Sequence, residues 1–462
     1  MSGAVSKPDL TAIRDRLEEK VGEEAVRLRV PGVAVGVWAS GQEQYVCHGV
    51  TSVDNPVPVD ERTLFQIGST GKTFTATAIM RLVERGRIDL AAPVRTYLPD
   101  LRLKDEDVAA RATVLHLLNH TAGWKGDFFE DTGWGDDALS RYVEKLAGLE
   151  QVSPLGAAAS YNNSAVALAG RVIEVVTGQT YEAAVKELLL EPLGLLESFF
   201  DFNDIVTRRF AVGHVNRDDA VEVARPYRFP RSSAPMGGLV CSVRDQVSWA
   251  RFHIGDGAAP NGSRLLSRET LERMRQPTAS LDRSALGDHV GISWLLSDVG
   301  GVRIVAHGGT THGQLSAFQM VPDRDFAITV LTNATNGGQL HMAVVRWALD
   351  AYLGVVRKDP EPLPLTPREL APYAGTYRTD DGTLTVVVEE DGLVATPHIP
   401  PEVLHKLREN PPDLRPIPMK LVGEDWFIVI DGPGKGGRGY FARDAGGGIS
   451  GVNVGGRLAL RI

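Results

Sequence analysis

The sequence predicts an α+β protein that ends in a small β-barrel, and three observations carry that expectation. Strand-like runs lie near the start and again before residue 335, with helical spacing between them. A proline-rich break follows, and beyond it only short strand-like runs remain. Strands at both ends of a helical middle suit one α+β domain whose sheet joins the two ends of the segment. Eight short strands with Gly and Asp turns suit a closed or nearly closed barrel.

Each element has its own signal. Residues 9–28 mix spaced apolar and charged side chains as an amphipathic helix does, and Pro31-Gly32 stops it. Two alternating β-branched runs, 32–38 and 44–50, meet at Ser40-Gly41 and predict a hairpin. Helical spacing returns at 69–85, 113–119, 164–177 and 180–190. Strands are expected at 303–306, 316–321 and 326–332, and a closing helix at 342–353. The expected division is a first domain over 1–356, a linker over 357–368 and a barrel domain over 369–462. The linker segment KDPEPLPLTP has alternating prolines that favour an extended chain. Barrel strands are expected at 375–379, 384–390, 392–398, 419–423, 425–430, 439–443, 449–454 and 457–462.

Composition narrows the function. With 43% hydrophobic and 23% charged residues the chain reads as globular rather than disordered. A net charge of -9 argues against a nucleic-acid partner, and no apolar run approaches the about 18 residues of a membrane span. Cys47 and Cys241 provide neither a disulfide framework nor metal-ligand spacing. The start, MSGAVSKPDL, lacks the apolar stretch of a secretory leader, so the expected location is the cytoplasm.

The most informative stretch is Phe65-Gln66-Ile67-Gly68-Ser69-Thr70-Gly71-Lys72-Thr73. A phosphate-binding loop ending in Gly71-Lys72-Thr73 would need glycine at Gln66. A nucleophile elbow around Ser69 would need glycine at Ile67. The remaining reading is Ser69-x-x-Lys72 opening a helix, which sets both side chains on one face. A lysine with a lowered pKa can then take the serine proton. The helix N-terminus brings backbone N–H groups to where an oxyanion would develop. Taken alone, the same residues would also serve as a serine N-cap with a surface lysine one turn on.

Ser160-Tyr161-Asn162-Asn163-Ser164 before a helix and His307-Gly308-Gly309-Thr310 after a short strand change that balance. With Ser69-x-x-Lys72 they resemble, in order and separation, the three motifs of the serine β-lactamase and penicillin-binding-protein superfamily, in particular its class C branch. That resemblance covers roughly residues 10–350 and implies an antiparallel sheet with a helical region. Other matching blocks are His116-Leu-Leu-Asn-His-Thr-Ala-Gly123 and Pro235-Met-Gly-Gly-Leu239. It implies Ser69 as nucleophile, Lys72 and Tyr161 sharing the proton with the cation depressing the phenol, and Asn163 orienting Lys72. It further implies an oxyanion hole from the N–H groups of Ser69 and Thr310, the latter on an edge strand, and His307 positioning substrate or adjusting Tyr161. Gly308 and Gly309 would keep side chains off that strand so that an extended peptide can lie there.

Other conspicuous residues read differently. His116 and His120 have the spacing of a zinc pair, but Leu117 stands where a metalloprotease carries Glu. They are taken as structural, and neither metal nor cofactor is expected. The loop 431–439, DGPGKGGRG, looks phosphate-friendly but precedes no helix and reads as a flexible hairpin. Trp124, Phe128, Phe129 and Trp134 cluster beside the HTAG block; such a loop is expected to line the cleft, with plain core as the alternative, and Trp124 and Phe128 are the expected substrate contacts.

The barrel resembles the lipocalin-like appendage of some relatives, and such a lobe beside the cleft would reduce water access. In the last strand Leu458, Leu460 and Ile462 alternate with Arg457 and Arg461. Together these features resemble the penicillin-binding-protein-type thioesterases of nonribosomal peptide synthesis, which carry an arginine near the C-terminus in the substrate site; Arg457 falls there. The resemblance implies a stand-alone macrocyclase with a peptidyl thioester substrate, delivered by a peptidyl carrier protein. The acyl end would be a D-residue, and the peptide's own N-terminal amine would close the ring. The alternative is a serine hydrolase of esters or D-amino-acid peptides; transfer to an external acceptor and a non-catalytic binding protein are the remaining classes.

Overall fold

In the computed structural model the first helix spans Leu10–Leu28, started by the Asp9 carboxylate, which accepts from the N–H groups of Thr11 and Ala12. The structure describes residues 9–217, 220–390, 392–406, 413–432 and 434–462; the opening eight residues and Pro433 of the 431–439 loop lie outside that set. The hairpin forms over Gly32–Ala39 and Gln42–Gly49. Its first strand pairs antiparallel with Phe326–Thr332, so the chain's early and late strands share one sheet, as the sequence implies. That sheet has eight strands and is antiparallel throughout. Helices Leu10–Leu28 and Gly337–Leu353 pack on one face of it. The helical region and the helix Val243–Ile254 pack on the other, around a core that includes Phe74 stacked on Trp249 at 3.8 Å.

Three strands of this sheet escape the sequence reading: Ala279–Ser284, Gly287–Val290 and Leu295–Val299. Their consequence is a correction. The strand carrying His307-Gly308-Gly309-Thr310 runs Val302–Thr310 and is not an edge strand, because Leu295–Val299 pairs along it. That pairing ends at Ala306 opposite Leu295. On that side His307–Thr310 therefore run past their neighbour, while on the other they pair with Leu315–Phe318.

The helix expected at 69–85 also begins differently. Gly68–Gly71 is a 3-10 turn, and the α-helix starts at Lys72 and runs to Glu84. The turn is pressed against the third-motif strand. A Cβ added to Gly309 would lie 2.0 Å from the Ile67 carbonyl and 2.6 Å from Ser69 N, and one added to Gly68 2.7 Å from Thr310 N. Gly309 therefore admits the nucleophile turn rather than leaving open space for a peptide. Gly68, at φ +51°, also needs its conformational freedom. Ser316 Oγ fixes the approach, donating to the Ile67 carbonyl at 2.7 Å and meeting Thr70 Oγ1 at 2.8 Å.

Beyond the first domain, eight antiparallel strands from Gly375–Arg378 to Arg457–Arg461 form a closed barrel with its own core, including Tyr377, Phe427 and Phe441. A short helix, Pro367–Leu370, precedes it. In the last strand Ala459 is buried in the barrel core, so Arg457 and Arg461, two residues away on either side, end that inward row. The barrel bonds to the first domain at the second motif: Tyr161 N–H donates to the Gly456 carbonyl at 2.9 Å, and Leu458 N–H donates to Ser160 Oγ at 3.1 Å.

The contact between turn and strand yields a test. Gly309→Ala should cost about 1–3 kcal/mol of stability through overpacking, read by urea denaturation. It should also depress Ser69 acylation far more than the loss of folded protein explains. An alanine variant with wild-type acylation would refute the close approach.

Candidate active site

Ser69, Tyr161, Asn163, His307, Gly308, Gly309, Thr310 and Arg457 line one cleft of about 860 Å³. Its nucleophile comes from the 3-10 turn, its phenol from the residues before helix Asn163–Thr177, and its guanidinium from the barrel. Lys72 lies directly behind Ser69, wholly buried, with Nζ 2.8 Å from Ser69 Oγ and also donating to the Met236 carbonyl. Met236 belongs to the Pro235–Leu239 block, whose part in the site is thus to hold the amine. Burial pushes the Lys72 pKa well below the ordinary lysine value; Arg457 adds to that and Asp127 opposes it. An amine so placed favours the neutral form and is aimed at the serine hydroxyl, as a general base requires.

Tyr161 departs from the sequence reading. Burial raises its pKa above the ordinary phenol range; the hydrogen bond with Ser69 and the Arg457 charge lower it only in part. The net direction is toward the protonated hydroxyl, and Arg457 is a cation that lowers it. Both cations lie near the ring: Lys72 Nζ is 5.1 Å and the Arg457 guanidinium 5.0 Å from its centroid. His307 is buried, its Nδ1 meets the Gly308 carbonyl at 2.7 Å, and its ring lies 6.3 Å from that of Tyr161. Burial, aided by Lys72, pushes His307 down to about 3, so at neutral pH it acts uncharged.

Asn163 does not orient Lys72 by a direct bond; its Nδ2 donates to Asp127 Oδ1 at 2.5 Å. Asp127 is the residue sequence reasoning missed. It also accepts from Arg457 Nε at 2.5 Å and Nη2 at 3.2 Å, and its own N–H donates to Asp380 of the barrel at 3.0 Å. Burial works to raise its carboxyl, but Arg457, Asn163 and Lys72 outweigh that and hold it below the usual range. Only its place in the aromatic-rich stretch after the HTAG block marked it in the sequence.

Two expected wall residues sit elsewhere. Trp124 is 3% exposed and donates from its indole to Ser164 Oγ at 3.0 Å, because residues 124–126 pack under the second-motif helix. Phe128 packs on Tyr142 in the core, with ring centroids 5.3 Å apart. Their neighbours Phe129 and Trp134 line the cleft instead, and the Arg228 guanidinium lies 3.4 Å over Trp134. The two histidines of the HTAG block part company. His116 Nδ1 accepts the Thr113 N–H at the start of its helix. His120 lies past the helix end at φ 62° with its ring 4.4 Å from that of Tyr161.

The chain that carries this half-buried serine, buried lysine and phenol is similar to known proteins. The beta-lactamase family model matches residues 13–352. The chain belongs to the beta-lactamase family. Penicillin-binding protein 4 of Amycolatopsis lactamdurans is 35% identical over 359 residues, covering 76% of this chain and 94% of that protein. Among solved structures, SurE is similar over 98% of this beta-lactamase-family chain and 100% of its own, with a TM-score of 0.77 and 29% identity, so the likeness includes the barrel. SurE with D-Leu gives a TM-score of 0.75 at 27% identity, over 98% of this chain and 100% of that one. The octameric penicillin-binding protein homologue from Pyrococcus abyssi shares the fold, with a TM-score of 0.65 at 24% identity over 97% of this chain and 98% of its own.

The electrostatics predict a pH profile. Acylation of Ser69 needs neutral Lys72, so its rate should fall on the acid side, as Lys72 takes a proton. Asp127 raises the Lys72 pKa. Asp127→Asn should therefore move the acid limb of the acylation rate to lower pH, measured with a chromogenic acyl donor. A limb that moves to higher pH would contradict the arrangement.

Proposed function

We propose that this chain is a trans-acting thioesterase and macrocyclase for nonribosomal peptides. What carries the reading is Arg457: the last barrel strand brings a guanidinium over Tyr161, into the cleft that Ser69 also lines and that is large enough for a peptide. A barrel that adds a side chain to the cleft is part of the enzyme rather than an appendage. The likeness to SurE over the whole two-lobed chain supports this, and SurE solved with D-Leu favours a D-residue at the acyl end.

The chemistry follows from the geometry. Ser69 Oγ attacks the thioester carbonyl while its proton passes to Lys72. The N–H groups of Ser69 and Thr310, brought together by the Gly68 and Gly309 contacts, receive the developing oxyanion. The C–S bond breaks and the thiol leaves with a proton supplied through Tyr161 and Lys72, giving the acyl-serine. The peptide's N-terminal amine, uncharged, then attacks the ester carbonyl and passes a proton to Lys72. The C–O bond breaks and the proton returns to Ser69 Oγ. Asp127 and Asn163 hold Arg457 in place, and Arg457 fixes the acyl-end residue through its backbone. The substrate would come from a peptidyl carrier protein in the cytoplasm.

The test is a peptidyl thioester with a free N-terminus and a D-residue at its acyl end, its products read by mass. The expected product is the ring, smaller than the linear acid by one water. Linear acid alone at every length would replace the cyclase by the hydrolase. Ser69→Ala should abolish turnover and acyl-enzyme together. Arg457→Ala should lower cyclisation by at least about tenfold, the loss of one charge-assisted contact, and cleavage of a simple ester much less.

A further inference from the structure

On the opposite face of the sheet, a second cavity of about 350 Å³ lies between the strands and helix Gly337–Leu353. It shares Leu286, Leu295, His307 and Gly308 with the catalytic cleft, so the two hollows adjoin at the third motif. We propose that this groove receives the phosphopantetheine arm of the carrier-bound thioester, with Arg346, Arg357 and Arg438 facing its phosphate. The proposal rests on the thioesterase reading above and names the leaving group's half of the site.

The floor of the groove is built for a slender chain. Ala306 pairs with Gln319 and Gly308 with Ala317 across two neighbouring strands, and all four line the cavity. Alternate residues of a strand share a face, so three of these four positions carry a methyl group or nothing. At Gly308 a Cβ would meet only the Ser316 carbonyl, at 3.3 Å, so this glycine, unlike Gly309, faces open space. A peptide with branched side chains needs the larger cleft; the arm, unbranched from its sulfur through its two amides and branched only near the phosphate, fits the narrow one. Two buried polar atoms on this path have no partner among the described residues, Gln319 Oε1 and His307 Nε2. The first is an acceptor for an amide N–H of the arm. The second stands at the inner end, where the groove meets the cleft that holds Ser69.

The outer end is cationic. Arg346 comes from the helix, Arg357 from the linker and Arg438 from the barrel loop 431–439, whose Gly436 and Gly437 also line the cavity. Two carboxylates stand near. Asp359 is held by Arg346 in two bonds of 3.0 and 2.7 Å, and Asp288 accepts the Asp298 N–H at 2.8 Å. Among the described residues nothing bonds the Arg357 or Arg438 guanidinium. Desolvation, then the charges of Arg438 and Arg346, push the Arg357 pKa down, which shows how closely the three are gathered. Guanidiniums left without carboxylates at the mouth of a groove suit a phosphate, which offers several strong acceptors to their planar forks. The loop that looks phosphate-friendly in sequence thus contributes its arginine rather than its glycines. Gly436 N–H and Gly437 N–H donate to the Val429 and Gly434 carbonyls.

The test compares one peptidyl group carried on 4′-phosphopantetheine and on pantetheine, with total thioester consumption as the readout. The wild type should show a kcat/KM ratio of roughly ten or more in favour of the phosphorylated arm. Arg357→Ala combined with Arg438→Ala should bring the ratio near one, and Arg438→Lys should restore part of it in the Arg438→Ala background. Inorganic phosphate should inhibit wild-type turnover of the phosphorylated substrate and spare the other, which keeps the proposal testable if the double variant does not fold. Equal rates on the two arms, or a preference that survives the double substitution, would overturn the groove and leave cyclisation standing. A preserved preference with linear acid as sole product would overturn cyclisation and leave the groove.

Discussion

A lysine amine with no exposure to water is the constraint on which the rest of the site depends. Lys72 has no carboxylate in ion-pair contact among the described residues; its nearest recorded partners are Ser69 Oγ and the Met236 carbonyl. Burying an unpaired ammonium costs far more than burying an amine. Closing the fold around the amine therefore favours its neutral form. That closure requires the helix to begin at Lys72, the turn Gly68–Gly71 to press on Gly309, and the Ala234–Gly237 turn to present its carbonyl. The approach of Gly68 to Thr310 and of Gly309 to Ile67 and Ser69 explains two of the glycines around the serine.

The barrel acts on the same balance. Its Arg457 adds positive charge near Lys72 and Tyr161, and Asp127, held to it by two hydrogen bonds, opposes that charge at both. The Asp127 carboxylate also accepts from Asn163 and its backbone N–H donates to the barrel's Asp380, so one residue links the second motif, the loop after the HTAG block and both lobes. Moving the barrel would therefore alter the base as well as the shape of the cleft. The two lobes form a single electrostatic unit even though each has its own hydrophobic core.

The motifs that carry chemistry in their residue types were legible in the sequence. Ser69, Lys72, Tyr161 and His307 bring specific groups at specific separations, and the barrel's eight strands follow from regular turn signals. Pairing was less legible. The strands at 279–299 have mixed polarity, and without them Val302–Thr310 looks like an edge. Trp124 and Phe129 are both aromatic and five residues apart, yet one is core and the other cleft, because only the fold decides which side of a loop is covered. Asp127 had no motif to announce it, since its partners are 36, 253 and 330 residues away in sequence.

The position of His307 and Gly308 between two hollows gives the third motif a second meaning. One face of their strand closes on the nucleophile turn, and the other, small-sided, looks toward the helix and the three arginines. A thioester has two sides, an acyl chain and a thiol arm, which separate when the C–S bond breaks. Under the proposed reading, a site that keeps them in different hollows would let the thiol leave without displacing the peptide, and the acyl-serine would stay in the larger cleft that Arg457 lines.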